Sequence, residues 1–279
     1  MSRRRRSRGV ELDGARIVLT GASSGIGRAL ALQLGAEGAD LLLAARRGDL
    51  LEQVAEELTA ATHKRPTIVS TDLSQRGAAA ALGATALETF GGRVDAVINN
   101  AGGSLSGAQA SIADSAQART VFDVNFWAPL ALTAAVLPAM LDAGSGTVVN
   151  VTSTMQAVPL PLLGYYGASK SALAQATRAL RLELAETPIH VLEAVPGSTD
   201  TALRDIDELP WKTAPPRTLP PVSPHATAAA IVRALRRGSA RVVYPTYSLA
   251  PLELPAIGRL VARIGGRRVD TRGALEMHS

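Results

Sequence analysis

The sequence predicts one α/β domain built on a doubly wound parallel sheet of about seven strands. Three observations predict this fold: the length and apolar content, the alternation of two kinds of segment, and a glycine cluster after the first apolar run. The chain has 279 residues, of which 47% are hydrophobic, and this suits a single domain with a large core. Alternating strands and helices pair the strands in parallel through right-handed crossovers.

The elements follow in order along the chain. The predicted strands are the apolar runs near 15–19, 40–45, 67–71, 94–98, 146–152, 189–195 and 240–244. The predicted helices lie near 25–37, 49–61, 75–90, 115–141, 165–186 and 224–237. A disordered basic tail (1–10) precedes the main domain (11–247), and a C-terminal extension (248–279) follows it. Ligands of such sheets bind at the carboxyl ends of the strands, beside the switch in strand order.

The first strand is followed by the segment TGASSGIG, Thr20 to Gly27, which opens the first helix. Glycines let the backbone approach a pyrophosphate, and the unpaired N–H groups of a helix N-terminus attract negative charge. An ordinary glycine-rich turn is the alternative, because the GxxxGxG spacing differs from the commoner GxGxxG pattern. We expect a dinucleotide site at Gly21, Ser23, Ser24, Gly25, Ile26 and Gly27.

The second strand ends in Ala45, Arg46 and Arg47, about 20 residues past the glycines. A dinucleotide fold places there an acid for the ribose 2′-hydroxyl or an arginine for a 2′-phosphate. A guanidinium pairs with phosphate, whereas a carboxylate would repel it. The sequence therefore predicts NADP(H) in preference to NAD(H), with Arg46 as the first choice of ligand and Arg47 as the second. Two solvated arginines on a loop are the alternative.

Tyr166 and Lys170 stand four residues apart in YYGASK, in a helical context. Positions i and i+4 share one helix face, so the ammonium of Lys170 can act on the phenol of Tyr166. An unperturbed tyrosine has a pKa near 10, and a nearby cation lowers it toward neutral pH. Tyr165 is out of register for this role, because Ser169 lies four residues after it. The pair predicts a proton donor; an amphipathic helix surface is the alternative.

Two further polar residues have both a structural and a catalytic interpretation. Ser153 follows the strand at 146–152, where a hydroxyl commonly closes a turn. Asn125 lies in a helical stretch, where a buried asparagine usually satisfies backbone groups.

These motifs, in this order and at these intervals, resemble the short-chain dehydrogenase/reductase family over about 12–245. The matching segments are TGASSGIG, the pair Asp72–Leu73, NNAG from Asn99 to Gly102, Asn125, Ser153, YGASK, and PGSTDT from Pro196 to Thr201. The resemblance implies a Rossmann-type fold and hydride transfer between nicotinamide and a carbonyl or alcohol. A developing alkoxide must be protonated as it forms, which fits this set of donors.

The resemblance also implies a role for each matching residue. Tyr166 would be the general acid and base, and Lys170 would lower its pKa and bind the nicotinamide ribose. Ser153 would polarise the substrate carbonyl, and Asn125 would hold a water of a proton relay. The remaining implied cofactor contacts are Asp72, Leu73, Asn99, Ala101, Gly102, Pro196, Gly197 and Thr201.

Composition limits the other functional classes. The chain has no cysteine, and its four histidines are scattered, so we expect no metal site. The arginine run at 3–6 and Arg8 account for the whole net charge of +5, and such a short run is usually a solvated tail. We therefore expect no specific nucleic-acid binding. We see no secretory signal, and the apolar region at 126–141 is shorter than the ~20 residues that span a bilayer, so we expect a soluble, cytoplasmic protein.

Two segments are less regular. The proline-rich stretch at 198–224 is too long for an ordinary connection, and by position it is the substrate loop. Its apolar residues suggest an apolar substrate wall, although they suit loop packing equally: Leu203, Ile206, Leu209 and Trp211. The extension carries Leu252, Ile257, Leu260, Val261 and Ile264. It can dock on the substrate loop, on a neighbouring subunit or on a membrane surface. We expect docking on protein.

The helix at 165–186 is rich in small residues and the helix at 115–141 has an apolar flank. The family resemblance implies that these two helices build a homodimer or homotetramer; packing on their own sheet alone is the alternative. Taken together, the sequence predicts an NADP(H)-preferring oxidoreductase acting on a ketone, aldehyde or secondary alcohol. The competing hypothesis is a catalytically silent dinucleotide-binding sensor or scaffold on the same fold.

Overall fold

A computed structural model describes residues 9–201, 209–212 and 221–272. Seven parallel strands form one sheet in the order β3-β2-β1-β4-β5-β6-β7. The strands are β1 (Arg16–Thr20), β2 (Asp40–Ala45), β3 (Thr67–Ser70), β4 (Ala96–Asn99), β5 (Gly146–Val151), β6 (Ile189–Pro196) and β7 (Arg241–Tyr244). The order reverses between β1 and β4, which is the switch point of a doubly wound sheet. The sheet confirms the predicted fold class.

Helices cover both faces of the sheet. They are α1 (Gly25–Ala36), α2 (Gly48–Thr62), α3 (Ala78–Thr89), α4 (Gln109–Ile112), α5 (Ala116–Phe122), α6 (Ala128–Asp142), α7 (Gly164–Glu183), α8 (Pro224–Arg237), α9 (Leu249–Glu253) and α10 (Pro255–Arg268). One core layer lies between the sheet and α1, α2 and α8, and another lies under α3 and α6. The central strands β1 and β4 are almost wholly buried, because both of their faces are covered.

The predicted helix at 115–141 is interrupted. Between α5 and α6 the chain forms one π-helical turn, Asp123–Trp127, which carries Asn125. The helical path over Ala116–Asp142 is 27 residues long and contains an 18-residue stretch with a mean hydropathy of 1.6, so by length and composition it is long enough to cross a membrane. Leu132, Val136 and Met140 of this path are buried in the layer beneath α3. It is thus a helix layered on the sheet, longer than the apolar run at 126–141 indicated.

Val10, near the start of the described residues, packs against the core. Its backbone N–H donates a 3.1 Å hydrogen bond to the carbonyl of Leu235. The arginines at 3–6 and Arg8 lie outside the described residues, as do Leu203 and Ile206 of the substrate loop.

Candidate active site

A cleft of about 740 Å³ is lined by residues at the carboxyl ends of β1 to β6. This volume is in the range of small-molecule and cofactor sites. The predicted site residues that line it are Gly21, Ser23, Ser24, Gly25, Ile26, Gly27, Arg46, Asp72, Leu73, Ala101, Gly102, Ser153, Tyr166, Lys170, Pro196, Gly197 and Thr201. Tertiary structure thus brings nearly all of the predicted set to one place.

The glycine positions of the loop between β1 and α1 do not suit a side chain. Gly21 and Gly25 adopt φ of +68° and +54°, which is left-handed backbone that favours glycine. A Cβ on Gly27 would clash with the carbonyl oxygen of Gly21. Asn100, which the sequence analysis did not select, donates to the carbonyls of Thr20 (3.0 Å) and Gly21 (3.3 Å). Its amide therefore holds the loop against the end of β4.

The N-terminus of α1 is arranged to receive an anion. Ser24 is its N-cap residue, yet its side chain makes no capping hydrogen bond, and the first turn contains no acid. Instead, the guanidinium of Arg47 donates to the hydroxyls of Ser24 (2.9 Å) and Ser23 (3.3 Å). Backbone amides and a positive side chain thus face the same part of the cleft. This combination fits the pyrophosphate of a dinucleotide.

Arg46 lies beside Arg47 on the cleft wall, and Asp72 follows β3 nearby. The Asp72 carboxylate accepts hydrogen bonds from the backbone N–H of Ser74 (3.0 Å) and from its hydroxyl (2.8 Å). These bonds, assisted by the charge of Arg46, hold the pKa of Asp72 below its ordinary value. Asp72 is the one carboxylate among the described residues that line the cleft, so positive charge dominates this end.

Tyr166 and Lys170 stand in the first turns of α7, and both line the cleft. The Lys170 ammonium is buried and donates a 2.9 Å hydrogen bond to the carbonyl of Val151 at the end of β5. Burial lowers the pKa of Lys170 to about 8. The neighbouring Tyr165 points elsewhere and donates its hydroxyl proton to the carbonyl of Ala113.

Ser153 caps a turn and also lines the cleft. Its hydroxyl accepts a 3.2 Å hydrogen bond from the N–H of Met155 and so caps the 3₁₀ turn Thr154–Gln156. The same side chain lines the cleft together with Tyr166 and Lys170. As an acceptor from Met155, the hydroxyl keeps its own proton available for another acceptor. Capping therefore orients Ser153 without using its donor.

Two predicted asparagines lie behind the cleft lining. Asn125 is fully buried; its amide accepts from the N–H of Gly103 and donates to the carbonyl of Gly103, both at 2.8 Å, and it donates to Ser169 at 2.9 Å. Asn99 donates to Asn150 at 2.8 Å inside the core. Both side chains link chain segments that border the cleft, and neither side chain lines the cleft itself.

A buried carboxylate supports the turn that carries Ser153. Glu193, on β6, is 1% exposed, and its Oε1 accepts from the hydroxyl of Thr152 (3.4 Å) and the amide of Gln156 (3.1 Å). These two partners flank Ser153. Arg241 Nε lies 3.4 Å from Glu193 Oε2, although it lacks hydrogen-bond geometry. No sequence pattern singled out Glu193; a lone acid within an apolar strand was the available signal.

An apolar cluster adjoins the cleft. It combines the 160–163 segment, the substrate loop and the end of the extension, and its buried members are Ala108, Leu162, Leu163, Leu209 and Val269. Trp211 pairs with Val269 through an antiparallel bridge. Met155 packs against this cluster and, like Leu163, lines the cleft. Leu209 and Trp211 of the 198–224 stretch thus pack with the C-terminal extension, but neither lines the cleft, which meets this cluster through Met155 and Leu163.

Comparison with known proteins identifies relatives of this arrangement. A family model for short chain dehydrogenases matches residues 15–208. The Bos taurus protein "Dehydrogenase/reductase SDR family member 7B" is 39% identical over 193 residues, which are 67% of this chain and 58% of that protein. The chain therefore spans less than two thirds of this relative's length.

Two solved structures are similar over most of the chain. A short-chain dehydrogenase from Sphingobium yanoikuyae in complex with NADPH has a TM-score of 0.75 and 27% identity, covering 88% of this chain and 94% of that one. A short chain dehydrogenase/reductase from Burkholderia phymatum in complex with NAD has a TM-score of 0.77 and 26% identity, with the same coverage. Fold, motif order and cleft agree with these matches, and the chain belongs to the short-chain dehydrogenase/reductase family.

Proposed function

We propose that the chain is an NADP(H)-preferring oxidoreductase that interconverts a ketone or aldehyde with an alcohol, with Tyr166 as the general acid and base. The observation that carries the proposal is the shared cleft: Ser153, Tyr166 and Lys170 line the same space as the glycine loop. A nicotinamide dinucleotide supplies the hydride when bound, or accepts it in the reverse direction. The glycine loop, the amides of α1 and the positive side chains fit such a group.

The chain's own residues provide proton transfer and orientation. Ser153 donates a hydrogen bond from its hydroxyl to the substrate oxygen and keeps its proton, while its own oxygen accepts from the N–H of Met155. Tyr166 transfers its phenolic proton to that oxygen as negative charge develops there. The ammonium of Lys170, oriented by Val151, stabilises the phenolate that remains. The reverse sequence removes the hydroxyl proton of an alcohol.

The test is cofactor oxidation with a panel of carbonyl compounds, comparing wild type with Tyr166→Phe. We expect turnover by the wild type and a loss of about 10²–10⁴-fold in the variant, the usual contribution of a general acid. Dinucleotide binding measured by fluorescence should be retained in both proteins. A silent sensor or scaffold would bind the dinucleotide and show the same negligible turnover in both.

Preference for the phosphorylated cofactor is proposed from charge. Arg46 and Arg47 follow the end of β2. The guanidinium of Arg47 is held at the glycine loop by hydrogen bonds to Ser23 and Ser24. Losing a hydrogen bond to a charged group costs about 1.5–3 kcal/mol. Arg46→Ala should therefore raise the KM for NADPH roughly 10- to 150-fold and leave the KM for NADH nearly unchanged. Equal effects on both cofactors would reject a 2′-phosphate contact.

The substrate class proposed is an apolar carbonyl compound, because Met155 and Leu163 join the apolar cluster to the cleft. We further propose a cytoplasmic homodimer or homotetramer formed through α7 and the helical path 116–142. Leu182 (78%) is exposed on α7, and Trp127 (58%) of the π turn and Leu141 (40%) of α6 are exposed on the helical path. A monomeric mass in light scattering at micromolar protein would contradict the oligomer.

A further inference from the structure

Helix α10 carries an exposed apolar stripe. Its members are Ile257 (36% exposed), Leu260 (55%), Val261 (41%) and Ile264 (49%). They stand at i, i+3, i+4 and i+7, so they share one face of the helix. All four side chains are exposed rather than buried against the described part of the domain. The preceding Leu254 is also 53% exposed.

A different face of α10 attaches it to the domain. Gly258 approaches the carbonyl of Pro251, where a Cβ would lie 2.6 Å away, and a Cβ on Gly265 would lie 2.8 Å from the side chain of Leu160. After the helix, Val269 is 1% exposed and pairs with Trp211. The helix is therefore fixed in place by its glycine face, and the apolar stripe is not needed for that attachment.

The charge of α10 is one-sided. Its 14 residues contain four arginines and no carboxylate: Arg259, Arg263, Arg267 and Arg268. At 100° per residue, Arg259, Arg263 and Arg267 form a band beside the apolar stripe. All four arginines are exposed. An apolar stripe flanked by a basic band is the pattern of helices that lie in the plane of a membrane surface.

Two surfaces are candidates to cover the apolar stripe: α10 of a second copy of this chain, and a membrane. The charge of α10 favours the membrane. If a second copy of this chain packed its α10 against this one, four arginines would meet four others without a carboxylate from either helix. An anionic lipid surface supplies the opposite charge and an apolar layer for the stripe. We propose that α10 docks on an anionic membrane surface, with its apolar stripe at the headgroup boundary and its arginines among the phosphates.

Docking would place the apolar end of the cleft beside the bilayer. Gly265 of α10 approaches Leu160, which packs against the cluster that reaches the cleft through Met155 and Leu163. An apolar substrate dissolved in the membrane would then have a short path to Tyr166. This consequence rests on the proposed function, whereas docking itself does not depend on turnover.

The experiment is co-sedimentation of the full chain with phosphatidylcholine vesicles, with or without about 30% phosphatidylglycerol, at roughly 0.15 M salt. We expect the wild type to sediment with the anionic vesicles. The double variant Leu260→Glu/Ile264→Glu should stay in the supernatant. The triple variant Arg259→Gln/Arg263→Gln/Arg267→Gln should lose on the order of 100-fold in its partition coefficient. The double variant Ala80→Glu/Ala84→Glu, which adds the same two carboxylates to exposed positions of α3, is the matched control and should sediment like the wild type.

Thermal unfolding and light scattering on the same proteins separate docking from folding and assembly. The substituted side chains are exposed, so unfolding midpoints should stay close to wild type. The arginines at 3–6 and Arg8 are present in every variant, so binding through that tail would leave the double variant sedimenting like the wild type and would overturn the proposal. It is equally overturned if the wild type does not sediment, if Ala80→Glu/Ala84→Glu loses binding to the same extent, or if Leu260→Glu/Ile264→Glu instead lowers the oligomer mass.

Discussion

The buried ammonium of Lys170 donates a 2.9 Å hydrogen bond to the backbone carbonyl of Val151, two residues before Ser153. One strand end therefore positions both the serine hydroxyl and the cation. A single carbonyl compensates only part of the lost hydration, and for this reason the pKa of Lys170 falls to about 8. At neutral pH the group still carries most of its charge, as its proposed action on Tyr166 requires.

Stability should depend on pH through Lys170. Its folded pKa of about 8 lies below the ordinary value of 10.5, so between these values the unfolded chain holds a proton that the folded chain has released. Stability therefore rises with pH across this window. Relative to Lys170→Met, the wild type should gain on the order of 3 kcal/mol across it, measured by urea unfolding at several pH values. A constant difference between the two proteins would contradict the buried titration.

Ser153→Ala should separate orientation from catalysis. The variant loses the cap on Met155, worth about 1 kcal/mol, and the proposed donor to the substrate oxygen, worth about 10²–10³-fold in kcat. Ser223→Ala is the matched control, because Ser223 caps α8 by accepting from Ala226 at 3.1 Å, on an element outside the cleft. In unfolding curves we expect both variants to lose similar stability. In steady-state kinetics we expect kcat to fall in Ser153→Ala alone. Equal kcat values in both variants would show that Ser153 acts only as a structural cap.

Gly27→Ala should disrupt the dinucleotide loop. The added methyl would clash with the carbonyl of Gly21, and relieving such overpacking typically costs about 1–3 kcal/mol. The loop must shift, so we expect dinucleotide affinity to fall at least about tenfold, measured by fluorescence titration. Gly48→Ala adds the same methyl at the start of α2, where the nearest atoms are 3.5 Å away, and should leave affinity unchanged. Unaltered affinity in Gly27→Ala would contradict the close fit of the loop.

Glu193→Leu tests the buried carboxylate. Removing it leaves Thr152 and Gln156 without their buried acceptor, and each buried polar group left unsatisfied costs about 1–3 kcal/mol. Arg241 keeps its pair with Glu253. We expect a large drop in the free energy of unfolding. Glu37→Leu breaks the exposed pair with Arg236 at 3.1 Å and should cost no more than about 1 kcal/mol. If the two losses are equal, Glu193 contributes nothing through its burial.

Elements with complete local signals were predicted to within a residue or two. Helix α8 was predicted at 224–237 and spans Pro224–Arg237. Its start is marked by the cap Ser223 and by proline in the first turn, and Gly238 ends it in left-handed backbone. These signals act between neighbours in the chain, so sequence alone contains them. The π turn at Asp123–Trp127 has no comparable local signal, and the prediction there was one continuous helix.

The sequence by itself determined the order of strands and helices along the chain, the glycine loop, and the placement of Tyr166 and Lys170 one turn apart on a helix, because each depends on spacing within a few residues. Only the tertiary structure decided which asparagine of NNAG reaches the loop: Asn100 bonds Thr20 and Gly21, while Asn99 turns into the core. It also decided that Glu193 supports the Ser153 turn and that the stripe of α10 faces outward. Such relationships join residues that are distant in the chain. They form only when tertiary packing fixes which side of each helix or strand is buried.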